Sequence, residues 1–412
     1  GRSEGNLMDG LALRNLELST ESFDARISSI FIKPSPRSLP AGFLSVEELR
    51  MEGVAVHDRR PEEKEPPDLS WPSVPGFLGS LRGGIASLDI SNIEYRRLEE
   101  PPVRIDRIQG SLEWNAGILD LKNIRIESPW GELRGDASAG FIIPFLNLET
   151  ALDLQSGGGD GVGKFSLKAG LRKTAAPEPI AGEVSLTAAD IGGRKTGLTG
   201  IIGLAKHSVH LRDVRLLRPG LKGDMAGSAV VTFPEGEPFY SIRVKASHLD
   251  LSPEISFPTD ISGEIDLKGV PTDYTGSYSL TNTGKTWAST VLRGSFGGDL
   301  ERLKLTLSEG KWLAGRVSGD VAVNWKEGVR LTAAVEGTGL NPAVFDPQWK
   351  GALNVTARGQ LGMKADAPPD ARVQAWISRS QLLGRDLTGE ADVRLRGDDL
   401  DIALLDVRGR QF

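Results

Sequence analysis

The sequence predicts an all-β chain built as a long repetitive sheet and not as closed globular domains. Three observations carry this: an apolar spacing that only a bulged strand satisfies, glycine landmarks that return at a fixed interval, and strict apolar/polar alternation between them.

The spacing is apolar, any, apolar, any, any, apolar, any, apolar. It occurs at Leu11, Leu13, Leu16 and Leu18, at Leu44, Val46, Leu49 and Met51, and at Leu88, Ile90, Ile93 and Tyr95. It returns at Leu119, Leu121, Ile124 and Ile126, at Val209, Leu211, Val214 and Leu216, and at Leu400, Ile402, Leu405 and Val407. On a helix these positions scatter around the axis. On a strand the first two share a face, and one extra residue at a bulge returns the last two to it. Asn15, Asn92, Asn123, Asp213 and Asp406 stand at or beside the third apolar position and are read as the bulge residues, because Asn and Asp best tolerate left-handed backbone. Glu48 takes that place in the second copy.

The glycine pairs Gly131/Gly135, Gly223/Gly227 and Gly315/Gly319 follow one another at 92 residues. Gly110, Gly200, Gly294 and Gly389 form a second series, read as opening hairpins. The stretch 163–200 resembles 351–389, each with a strand, an Ala/Pro-rich turn, a strand and a closing Leu-Thr-Gly. The repeat is therefore about 90 residues and several strands long. At roughly 14 residues per strand and turn the chain holds about 28 strands.

Between these landmarks the residues alternate, as in Phe165, Leu167, Ala169; Ile242, Val244, Ala246; Ile265, Leu267; Leu303, Leu305, Leu307; and Leu353, Val355, Ala357. One face is apolar and the other polar. With 50 glycines and 24 prolines as punctuation, helix is confined to a short segment near 74–81. The division expected is a β lead-in at 1–58, a Pro-rich linker with that helix at 59–83, β repeats at 84–162, 163–262 and 263–350, and a partial fourth at 351–412. Within the linker, 61–68 reads as exposed.

Several function classes drop out. The net charge is −6 with both signs interspersed, so no basic stripe tracks a phosphate backbone and nucleic acid is not an expected partner. Without cysteine there is no disulfide and no thiolate metal site. The longest apolar stretch, 141–148, is broken by Pro144 and Asn147 and is too short for a spanning helix. The sequence opens at Gly1 and not at Met, and an upstream targeting or anchoring segment is expected.

Motifs with chemistry also fail. Gly158, Gly163 and Lys164 have phosphate-loop spacing, but Phe165 stands where Ser or Thr belongs and a strand follows. The Arg-Gly-Asp tripeptides at 134–136 and 396–398 fall inside the repeat. His207 and His210 point to opposite faces of a regular strand, and His57 and His248 stand alone. Glu62, Glu63, Glu65, Glu99 and Glu100 lie beside prolines in solvated turns. No catalytic constellation, metal or cofactor is expected, and the protein is not read as an enzyme.

The opening Gly5-Asn6-Leu7-Met8-Asp9-Gly10-Leu11-Ala12-Leu13-Arg14-Asn15-Leu16 resembles the segment after the membrane anchor in the AsmA-like envelope family, TamB type. The run from Leu39 and Pro40 through Leu44, Leu49, Met51 and Val54 is similar to that family's second strand pair. A Pro-rich break and then Ala86-Ser87-Leu88-Asp89-Ile90-Ser91-Asn92-Ile93 continue the likeness, which runs through the repeats.

The resemblance implies a U-shaped trough of antiparallel strands with an apolar inner face, the arrangement called a β-taco. It implies a periplasmic protein anchored in the inner membrane, a route for phospholipid toward the outer membrane, and an outer-membrane barrel partner of the TamA kind. The expected groove residues are Leu119, Leu121, Ile124, Ile126, Phe165, Leu167, Val209, Leu211, Val214, Leu216, Ile242, Val244, Ile265, Leu267, Leu303, Leu305, Leu307, Leu353 and Val355. Lys122, Arg125, His210 and Arg215 should face away.

Other readings stay open: a closed β core, a factor for outer-membrane protein assembly, and a secreted β-helical adhesin, whose coils repeat on a shorter scale. A transmembrane barrel should carry aromatic girdles, whereas aromatics here are 6% with 4 tyrosines.

Overall fold

The computed structural model describes residues 2–6, 8–35, 43–60, 65–155, 161–175, 178–191, 194–252, 258–284, 289–326, 328–364, 367–397 and 399–409. The chain divides into two compact units, 1–219 and 220–412.

Unit 1 holds β1 (Arg2–Asn6), β2 (Gly10–Ser19), β3 (Phe23–Pro34), β4 (Leu44–Asp58), β5 (Arg82–Arg97), β6 (Val103–Asn115) and β7 (Ile118–Ser128). It continues with β8 (Gly131–Gly140), β9 (Phe145–Gln155), β10 (Gly161–Lys173), β11 (Ile180–Ile191), β12 (Arg194–Ala205) and β13 (Ser208–Leu217). Each strand pairs with the next in sequence.

Unit 2 holds β14 (Lys222–Thr232), β15 (Phe239–Asp250), β16 (Ile261–Val270), β17 (Asp273–Asn282), β18 (Thr290–Gly298) and β19 (Arg302–Trp312). It ends with β20 (Gly315–Asn324), β21 (Val329–Leu340), β22 (Gly351–Lys364), β23 (Ala367–Leu382), β24 (Arg385–Arg396) and β25 (Asp399–Gly409), again paired in sequence order. The protein is all-β. Neither unit closes into a barrel among the described residues, since no pairing joins its first strand to its last.

The described residues form 25 strands and not about 28, because most run 10 to 16 residues and leave less chain for turns. The expected helix near 74–81 is a 3-10 turn, Gly76–Gly79. Of the linker 61–68, residues 61–64, with Glu62 and Glu63, lie outside the described residues, as do Leu7, Leu39, Pro40, Gly158 and Asp398.

One pair departs from the antiparallel expectation: β4 and β5 run parallel, with Leu49 beside Leu88 and Val56 beside Tyr95. Alternation reports which face a side chain takes but not strand direction, and a parallel pair needs a crossover. The described residues 65–81 belong to it. Arg59 N–H donates to the Ser22 carbonyl at 2.8 Å, and Leu69 N–H donates to the Lys206 carbonyl, also at 2.8 Å.

Asp58 and Lys206 belong to opposite ends of strands eight places apart. On a flat sheet they would be about 50 Å apart, whereas the eleven residues from 58 to 69 reach at most about 40 Å. The sheet of unit 1 is therefore coiled, bringing its opposite rims within reach of one another.

The bulges are where the spacing placed them at Asn15, Asn92, Asn123 and Asp213, whose φ angles are 54°, 55°, 53° and 50°. Asp406 is not one of them. It pairs in register with Glu390, and the extra residue of β25 falls between Ile402 and Leu405. Glu48 is not left-handed either; in β4 that backbone belongs to Gly53, φ 65°.

Gly110, Gly200, Gly294 and Gly389 open no hairpin. They lie inside β6, β12, β18 and β24, and the first three sit at register shifts opposite the bulges of β7, β13 and β19. A Cβ at Gly110 would come within 2.5 Å of Ile124 Cδ1, and one at Gly294 would collide with the Thr306 carbonyl. The bulged strand crowds its neighbour, and only glycine fits there. Gly131, Gly223 and Gly315 stand at the start of β8, β14 and β20, so the 92-residue repeat is six strands.

Candidate functional site: an uncovered apolar face

Cross-strand partners share a face, so register traces the site. Leu119, Leu121, Ile124 and Ile126 of β7 pair with Ala139, Ala137, Gly135 and Leu133 of β8. The same face continues through Leu148 and Leu152 of β9 to Ala169 and Phe165 of β10, and Thr150 leads to Leu167. From there it passes through Val184 and Leu186 to β12, then to Val209, Leu211 and Leu216 of β13, with Val214 returned to it by the Asp213 bulge. In the other direction it includes Leu112, Ile90, Met51, Ile30 and Leu13, reaching β2.

Unit 2 repeats the arrangement. Ile242 and Val244 pair with Leu267 and Ile265. Leu303, Leu305 and Leu307 pair with Val323, Val321 and Gly319, and that face runs on through Leu331 and Val335 to Val355 and Leu353. Every expected groove residue thus lies on the apolar face of its own unit.

Among the described residues no second sheet packs over this face. The chain exposes 26489 Å². A compact chain of 44.2 kDa would expose about 15,500 Å², and two separate compact halves about 19,000 Å². Among the described residues the buried hydrophobics are only Leu171, Ile180, Leu249, Leu313, Leu340 and Leu387, while Leu198 on the face is 39% exposed and Ile265 38%.

The opposite face is charged and self-paired. Lys168 bonds Glu149, Arg125 and Arg134 share Glu132, and Arg243 reaches Asp266 at 2.6 Å. Arg107 holds Asp89 and Arg372 holds Asp392, each with a glutamine two residues on at the same carboxylate. The Arg372 guanidinium holds the Asp392 carboxyl down to about 2. Lys122, Arg125, His210 and Arg215 lie on this face. A furrow in unit 1, about 1690 Å³, is lined by Lys122, Asp136, Glu149 and Lys168 together with Leu121, Leu148 and Val184.

No group of His, Asp and Glu among the described residues could hold a metal. His57 lies 3.3 Å from the Leu98 carbonyl oxygen, His207 3.2 Å from that of Pro67, and His248 2.9 Å from Asp260. Sequence reasoning did not find one array, in which Ser208 Oγ is 2.9 Å from His210 Nε2, and His210 Nδ1 is 3.3 Å from the buried carboxylate of Glu178. Arg212 occupies the other Glu178 oxygen. The array ties Glu178 to β13.

Aromatics were also missed. Tyr278 and Phe296 lie on the apolar face of unit 2, each opposite a glycine, Gly294 and Gly276. Burial pushes the Tyr278 hydroxyl up, and it donates to the Thr306 carbonyl at 3.3 Å. A glycine at the position facing an aromatic was the available signal. In unit 1, Trp114 stacks on Phe141 at 5.5 Å and Trp71 lies 6.4 Å from the same ring.

These features define a class: an open, one-layer β meander whose single apolar face is left uncovered. Residues 240–385 match the family model described as TamB, N-terminal domain, a stretch within unit 2 that takes in about a third of the chain. Over that stretch the chain is similar to the TamB N-terminal domain. No curated protein and no solved structure matches the chain.

Proposed function

We propose that the protein carries phospholipid between the inner and outer bacterial membranes, with acyl chains sliding along the apolar face. The observation that carries this reading is the register-continuous apolar row in each unit, uncovered by any second layer. An exposed face of this extent needs an apolar occupant. Two acyl chains of roughly 16 carbons cost on the order of 20 kcal/mol to expose to water, so a carrier must shield them at every rung. The residues proposed to line the route are those traced above, from Leu119 through Leu216 in unit 1 and from Ile242 through Val355 in unit 2. The TamB-type match supports a periplasmic setting, an inner-membrane anchor in the full-length protein, and a TamA-like barrel as partner.

Transport of this kind needs no catalyst. The test is mass spectrometry of lipid carried through purification without detergent. Phospholipid at near-stoichiometric amount is expected. A stable, folded, lipid-free protein that takes up none from vesicles overturns the reading.

A further inference from the structure

Resting on that reading, we propose that Trp71, Trp114 and Phe141 form an aromatic gate on the apolar face of unit 1, touched by acyl chains in transit and set in place by the 65–81 part of the crossover. Trp114 belongs to the apolar row itself, pairing with Leu119, whose next partner is Ala139. Phe141 follows β8 directly, its N–H donating to the Gly117 carbonyl at 2.8 Å, and its ring stacks on Trp114 at 29°.

Trp71 comes from the crossover. Its indole Nε1 donates to the Gly140 carbonyl at 2.9 Å, which orients the ring over Phe141. The crossover is fastened on both sides of it, by Leu69 N–H to the Lys206 carbonyl at 2.8 Å and by Ala116 N–H to the Leu81 carbonyl at 3.1 Å. All of these anchors lie at the turn ends of β6, β8 and β12, on one rim of the sheet.

The surroundings separate this cluster from an ordinary core. None of the three rings is fully buried, and the neighbouring Ile142 and Ile143 are 60% and 76% exposed. Aromatic faces pack on methylene groups, and three of them at the edge of a route lined by leucine and isoleucine narrow it without placing a charge in it. The β4/β5 crossover, which interrupts an otherwise sequential meander, is thereby given a use: it delivers a side chain that no neighbouring strand could.

The test places a benzophenone amino acid at Trp71 or at Phe141, with Leu211 as the reference position, in protein loaded with phospholipid. Circular dichroism confirms that each variant keeps its β content. Lipid adducts at 71 and 141 comparable to those at 211 are expected. Adducts at 211 with none at 71 or 141 would show that the aromatics only anchor the crossover, leaving lipid carriage intact. Absence of adducts at all three would instead remove lipid carriage, and the gate with it.

Discussion

The backbone N–H of Asn123 donates to Asp136 Oδ1 at 2.7 Å, from a bulge on β7 to a side chain on β8. A left-handed residue turns its N–H out of the ladder, and the neighbouring strand supplies the missing acceptor. The same arrangement recurs where His248 N–H donates to Ser262 Oγ at 2.9 Å and Gly339 N–H to Asn354 Oδ1 at 3.0 Å. The bulge keeps leucines on both sides of it facing one way, so this bond serves the continuity of the apolar face.

Asp136→Ala should therefore lower stability by about 0.5–1.5 kcal/mol, the net worth of one solvent-accessible hydrogen bond. Asn123→Gly should be nearly neutral, and Asn123→Val should cost more than Asp136→Ala because a β-branched residue strains at positive φ. Urea unfolding followed by circular dichroism gives the order. Val tolerated as well as Gly would mean the left-handed backbone is not needed there.

A charge in the path should stop transport without unfolding the sheet. Leu211→Arg and Leu305→Arg each set an ion on the apolar face, where burial beside an acyl chain costs several kcal/mol, while an open face lets the long side chain reach water. Asp213→Ala should cost about 1 kcal/mol through strain at its positive φ. Asp406→Ala loses only an exposed ion pair to Arg408 and should leave stability almost unchanged. In complementation of a strain lacking the protein, both Arg variants should fail at normal abundance and both Ala variants should succeed. The reverse pattern would demand a catalytic account.

Acid should weaken unit 2 through Asp392. Its carboxyl sits at about 2 in the fold, held by Arg372 and then by Gln374, against about 3.9 in an unfolded chain. A depressed acid stabilises above its unfolded value and loses that contribution as pH falls through the folded one. Asp392→Asn should thus be less stable than the parent at pH 6, and the gap should close between about pH 4 and pH 2. Denaturant midpoints across that range check it, and a gap unchanged at pH 2 would contradict the assignment.

Much of the face was legible because alternation and bulges leave local marks: Asn at 15, 92 and 123 and Asp at 213 are residue types that accept left-handed backbone. The bulges at His248 and Arg379, φ 52° and 39°, left no such mark, since register and not residue preference imposes them. Strand direction at β4 and β5 was invisible because parallel and antiparallel strands of one face alternate alike. The aromatic cluster joins Trp71, Trp114 and Phe141 across dozens of residues, and the Glu178–His210–Ser208 array likewise spans separate elements. Neither has a local signature, and both depend on which turns the coiled sheet brings together.

Lipid carriage of this kind requires acyl chains to touch one face of the sheet and not the other, and adjacent residues on one strand test that most directly. A photocrosslinking amino acid is placed at Leu305 or at Lys304 in lipid-loaded protein, and covalent phospholipid adducts are counted by mass spectrometry. Leu305 pairs with Val321 on the apolar face, and Lys304 pairs with Ala322 on the charged one. Adducts at 305 with few or none at 304 are expected. Equal labelling at both positions, or labelling confined to 304, would contradict it.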